Sequence, residues 1–153
     1  MMTTASKVIH ALQGKTLVTA ESLTGGGIGA VLTAVPGASN VYKGGVISYT
    51  DEVKREVLGV PGAYLKTFGA VSAPVAEGLA VGVRDLLHAD VAVSVTGLAG
   101  PTGDEFGNPV GTVFIGYADT KGVSVEEHHF SGDRDSVRTQ TIEAALMLIL
   151  ENA

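Results

Sequence analysis

Apolar positions along this chain alternate between helical and extended spacing, and that alternation predicts the elements. Residues 4–12 set Val8, Ile9 and Leu12 on one side of a short amphipathic helix. Residues 16–19 (TLVT) and 91–95 (VAVSV) are brief β-prone runs, apolar enough for strands covered on both faces. Residues 25–35 read as a helix despite their glycines, stopped by Pro36-Gly37. VISY at 46–49 predicts another strand, after which Thr50 caps a helix over 51–58 with acids in its first turn and Gly59 just past its end. Another helical turn or two covers 61–68, and Ser72 and Pro74 open a longer helix running through His88. A glycine- and proline-rich loop spans 97–109. Residues 110–118 and 123–130, joined around Thr120-Lys121-Gly122, have the form of a β-hairpin. The segment 133–151 closes the chain as a helix whose stripe is Val137, Ile142, Ala145, Leu146, Ile149 and Leu150.

Helices alternating with short apolar strands predict an α/β fold. The expected form is a three-layer α/β/α sandwich with a mixed, mainly parallel sheet and a late antiparallel hairpin. A length of 153 residues sets the expectation of one domain over residues 1–153, large enough to bury a core without disulfides. Composition narrows the chemistry more than the fold. A net charge of −6 and the absence of tryptophan argue against nucleic acid or an anionic membrane as partner. The lack of cysteine removes disulfides, a thiol nucleophile and thiolate metal sites. The opening MMTTASKVIHALQGK lacks the apolar run of a signal peptide, and the longest apolar stretch, 144–150, is far short of the roughly 20 residues of a membrane span. A cytoplasmic location is expected.

Sites in open α/β sheets gather beyond the carboxyl ends of strands. Two motifs fall there: TAESLTGGG (19–27) after the first strand and VTGLAGPTG (95–103) after the third. In the first, a hydroxyl at a strand-to-helix turn stands beside glycine amides able to donate to an oxyanion or a phosphate. The ordinary alternative is that Ser22 or Thr24 only caps the helix. Known phosphate motifs fit poorly. Gly14-Lys15-Thr16 lacks the earlier glycine of a P-loop and precedes its strand, and Gly25-x-Gly27-x-x-Ala30 has no acid closing the next strand. Ser22 has no G-x-S-x-G elbow, and His10, His88, His128 and His129 have no partner motif or metal-ligand spacing. Lysine is the next candidate base. Lys54 falls where a helix dipole disfavours a cation, and burial would lower its pKa further. A surface pair with Asp51, three residues away, is the plain alternative.

Taken together, TAESLTGG (19–26), GVISYTDEVKREVLGV (45–60), GAVSAPVAEGLA (69–80), VTGLAGPTG (95–103), NPVGTVFIG (108–116) and SGDRDSVR (131–138) resemble the CinA C-terminal family, in order and over nearly the whole chain. The resemblance is to its standalone, PncC-like form. It implies a nicotinamide-nucleotide amidase that converts nicotinamide mononucleotide to nicotinate mononucleotide and ammonia, with no metal or other cofactor. It also implies catalytic roles for Ser22 as nucleophile, Lys54 as general base and Tyr49 as an accompanying hydroxyl. On that reading backbone around Thr24, Gly25 and Gly26, with a donor from the Thr96-Gly97 turn, holds the oxyanion. Arg134, and less strongly Arg138, meets the phosphate. The implied partner is a small nucleotide substrate, with neither nucleic acid nor membrane, and family analogy gives a homodimer. Asp104 and Asn108 depart from the family pattern, which often has glycine and lysine there. Two other readings stay open: a non-catalytic nucleotide- or protein-binding accessory domain, and an amidase for another small carboxamide.

Overall fold

The computed structural model describes residues 2–153. Its centre is β1 (Leu17–Glu21), buried along its whole length and parallel to both neighbours, β2 (Tyr42–Ile47) and β3 (Val91–Gly97). β3 pairs antiparallel with β4 (Thr112–Asp119), which turns into β5 (Gly122–His129). The order is β2-β1-β3-β4-β5, so only β4 runs against the other four strands. Each strand must therefore present two apolar faces or lie at an edge. Leu17, Val91, Val93, Val95, Val113 and Ile115 pack against α1 (Thr4–Ala11), α2 (Gly27–Thr33) and α6 (Arg134–Asn152). Val18, Ala20, Ala92 and Ala118 face the other way, onto α5 (Ala73–Leu87). Leu58, Val60 and Leu65, from around α3 (Asp51–Glu56) and α4 (Gly62–Phe68), complete that layer. This is the expected α/β/α sandwich.

Small residues set how closely α5 approaches the sheet. A methyl added at Gly116 would stand 2.6 Å from the Ala76 carbonyl oxygen, and Ser94 Oγ donates to that same oxygen at 2.6 Å. On the far side of α5, Gly82 lies against the Leu58 carbonyl, which leaves no room for a Cβ. That contact fixes α3, and so Lys54, relative to the sheet.

Several boundaries differ from the sequence expectation. β1 runs on to Glu21 and β3 to Gly97, each two residues further. β2 begins at Tyr42 and stops at Ile47, which leaves Ser48 and Tyr49 beyond the strand. As an edge strand it shows alternate residues to solvent, and Gly44-Gly45 at its middle carries no apolar signal. Gly45 is there for space: a side chain would collide with Thr19 and with the Tyr42 hydroxyl. α2 is shorter than expected because Gly25 and Gly26 have positive φ (58° and 100°) and form the turn ahead of it. Thr50 does cap α3, its side chain accepting the Val53 N–H at 3.3 Å, and Asp133 caps α6 by accepting from Ser136 at 2.9 Å. Among the described residues, no helix is long and apolar enough to cross a membrane.

Candidate active site

Ser22 leaves the carboxyl end of β1 and is tied to β3 by its N–H, which donates to the Val95 carbonyl at 3.2 Å. Two groups grip the turn that follows. From the strand side, the carboxylate of Glu21, only 2% exposed, accepts from Thr24 Oγ1 (2.6 Å), Ile28 N (2.8 Å) and Gly29 N (3.0 Å). From α6, the Arg138 guanidinium donates to the carbonyls of Leu23 (2.9 Å) and Thr24 (3.1 Å). The N-terminus of α2 is thus filled by the protein's own carboxylate, which leaves it unsuited to a phosphate.

Lys54 reaches this turn from α3. Its Nζ lies 3.2 Å from Ser22 Oγ and donates to the Ser48 carbonyl at 2.6 Å, in a position where the residue is 1% exposed. Burial pushes the amine's pKa below 10.5, and the charge of Asp51 opposes that shift without undoing it. The helix dipole adds little to this, because α3 has only six residues; desolvation is the cause. No carboxylate forms an ion pair with Lys54 among the described residues. A buried amine whose charged form is disfavoured, one hydrogen-bond length from a serine hydroxyl, can in its neutral form take that hydroxyl's proton.

Both side chains line a cavity of about 350 Å³ beyond the ends of β1 and β3. Thr96 and Gly97 line it too, Thr96 being fixed by donating its hydroxyl to the Ala70 carbonyl at 2.8 Å. Tyr49, 59% exposed, and Arg134 stand together on the same cavity. Arg134 donates to the Tyr49 hydroxyl at 3.2 Å and to the Gly100 carbonyl at 2.6 Å. Tyr49 makes no hydrogen bond to Ser22 or Lys54 and keeps company with the arginine instead.

The remaining expected residues fall outside the cavity wall. Thr24, Gly25 and Gly26 lie behind Ser22; the Gly25 N–H is taken by the Ser22 carbonyl (3.1 Å), and Thr24 by Glu21. Leu23 does line the cavity, and its N–H has no backbone partner among the described residues. Arg138 is spent on the turn's carbonyls. None of the four histidines lines the cavity; His128 and His129 pair with Glu126 and Glu127 on β5. Asp104 and Asn108, the two departures in the long loop, hold each other: Asp104 accepts from the Asn108 amide N–H (2.9 Å) and Nδ2 (2.8 Å). Glu21 and Ser48 carried no role in the sequence reading. An acid closing an otherwise apolar strand was the available signal for Glu21; nothing local marked the Ser48 carbonyl.

The family model for the CinA C-terminal domain matches residues 2–153. A CinA-like protein of Geobacter metallireducens is 47% identical over 133 residues, covering 87% of this chain and 32% of the relative. A putative competence-damage inducible protein of Desulforamulus reducens is 47% identical over 135 residues, covering 88% and 33%. The chain spans about a third of the length of these curated relatives. Among solved structures, a CinA superfamily protein from Escherichia coli superposes with a TM-score of 0.96 at 32% identity, over 98% of this chain and 88% of that one. A competence/damage inducible protein from Agrobacterium tumefaciens gives 0.93 at 39% identity, over 98% and 94%.

Proposed function

This chain belongs to the CinA C-terminal domain family, and from that premise we propose that it is a serine–lysine amidohydrolase converting nicotinamide mononucleotide to nicotinate mononucleotide and ammonia. The observation that carries the proposal is the buried, charge-disfavoured Lys54 amine 3.2 Å from Ser22 Oγ on the wall of a cavity. A lysine placed only for stability would be paired with a carboxylate or reach water, and this one does neither.

The neutral Lys54 amine accepts the Ser22 hydroxyl proton as Oγ bonds to the carboxamide carbon, and the carbonyl electron pair moves onto oxygen. The N–H of Leu23, a residue of the cavity wall, is the donor proposed to meet that oxyanion, together with the Thr96-Gly97 segment of the same wall. The carbon–nitrogen bond then breaks, the ammonium of Lys54 returns its proton to the departing nitrogen, and ammonia leaves an acyl ester on Ser22. Water attacks the ester, Lys54 relays its proton to Oγ, and the carboxylate product is released. The Ser48 carbonyl orients the amine throughout. Arg134, held over the cavity by Gly100 and Tyr49, exchanges those contacts for the phosphate of the substrate.

Ammonia release from nicotinamide mononucleotide by the wild type, set beside Ser22→Ala, tests the proposal. The wild type is expected to release ammonia in step with nicotinate mononucleotide, and the variant to fall at least 1,000-fold, roughly the scale on which loss of a catalytic-triad member acts. Undiminished turnover by the variant overturns the nucleophile. No release by a folded wild type overturns the activity.

A further inference from the structure

We propose that Asp51 is a specificity determinant of this site, selecting substrates whose carboxamide is carried on a positively charged ring. The proposal rests on the amidase reading and adds to it the charge state of the ring. Asp51 is the one carboxylate among the residues lining the catalytic cavity, whose basic side chains are Lys54 and Arg134. It opens α3 three residues ahead of Lys54, which places the two on one face of the helix. Among the described residues no cationic side chain pairs with it. Arg134, also on the cavity wall, is engaged by Tyr49 and Gly100 instead.

The cavity wall thus carries both signs, a carboxylate at Asp51 and a guanidinium at Arg134. An oxidised nicotinamide nucleotide has the complementary polarity, a quaternary ring nitrogen at one end and a phosphate at the other. Its two charges are attracted in one orientation and repelled in the reverse, so the pair also sets which end of the molecule meets Ser22. The reduced dihydronicotinamide nucleotide has the same carboxamide and phosphate on a neutral ring and loses the Asp51 half of the match. An acid in the first turn of a helix also stabilises the helix itself, but that effect acts on every ligand alike and leaves discrimination unchanged.

The test uses calorimetric binding to Ser22→Ala and to Ser22→Ala/Asp51→Asn, with oxidised and reduced nicotinamide mononucleotide as the two probes. Asp51 is exposed, so water screens it. The preference for the oxidised over the reduced form should fall by about five- to tenfold on Asp51→Asn. Asp51→Glu should retain most of that preference. Equal weakening of both ligands, no change in either, or no binding of the oxidised form to Ser22→Ala overturns the proposal. Ammonia release by the wild type is scored separately: a chain that discriminates ring charge without releasing ammonia keeps the selection by Asp51 and loses the amidase reading.

Discussion

Lys54 is where stability and chemistry pull against each other, because a buried amine whose pKa is lowered in the fold binds fewer protons there than in the unfolded chain. By linkage, stability then rises with pH between the folded pKa and 10.5, and below that window the full cost of holding the amine out of water remains. Lys54→Met removes that cost. The variant is expected to be more stable than wild type at neutral pH by about 1 kcal/mol, the scale of a stabilising change at a functional site. The gap should narrow as pH approaches 10.5. Urea denaturation at pH values inside and below the window measures it, and a destabilised variant at neutral pH contradicts the assigned burial cost. Arg138 acts at the same scale without touching the cavity. Its two bonds fix the carbonyls of Leu23 and Thr24, so Arg138→Ala should lower kcat by about 10–100-fold, as a small misplacement of a reacting group does. KM should change little. A shift confined to KM would instead assign Arg138 to the ligand. The sequence offered Arg138 only as a weaker phosphate ligand than Arg134, because nothing in SGDRDSVR says that Leu23, 115 positions away, is its partner.

At the level of elements, α3 is small but carries Lys54, the proposed base, and two contacts hold it in place: the Thr50 cap and the seating of Leu58 against Gly82 of α5. Gly82→Ala drives a methyl into the Leu58 carbonyl and is expected to cost about 1–3 kcal/mol, the range for overpacking. Turnover should fall further than stability alone explains, since α3 must shift and take Lys54 with it. Thermal melting beside ammonia release at a temperature well below the melting point separates the two, and a variant with normal turnover per folded molecule contradicts the coupling. The longer elements were legible from the chain: α5, α6, β3 and the hairpin lie within a few residues of their predicted places. β2 was misplaced by four residues at its start, because an edge strand with Gly44-Gly45 in it lacks the continuous apolar run that marks β1 and β3. The first glycine-rich turn was legible as a place for chemistry, yet its internal wiring was not. Glu21 occupies the amides that a sequence argument offers to an oxyanion or a phosphate.

Over the whole molecule, the sheet brings together residues that no local spacing connects. Ser22 follows β1, Lys54 follows β2, Thr96 lies one residue before the end of β3 and Arg134 opens α6, and all four meet at one cavity. Physical spacing offered Ser22 and Lys54 only as separate possibilities; it was the family resemblance over the full chain that paired them. A chain with net charge −6 should repel a phosphorylated substrate on average, so the proposed reaction leans on Arg134 for the phosphate. Arg134→Met is expected to raise KM for nicotinamide mononucleotide by roughly 10–100-fold, the range of a lost charge-assisted contact. It should bring the mononucleotide close to the riboside, which has no phosphate to lose. Steady-state kinetics on both substrates measure this, and an unchanged preference for the mononucleotide places the phosphate elsewhere. The central claim is that an uncharged Lys54 draws the proton from Ser22, and the pH dependence of kcat/KM for ammonia release tests it most directly. The wild type should gain activity as pH rises through a midpoint below 10.5, while Lys54→Met should be slow and lack that rise. A Lys54→Met variant that keeps both the rise and near-wild-type turnover contradicts the account.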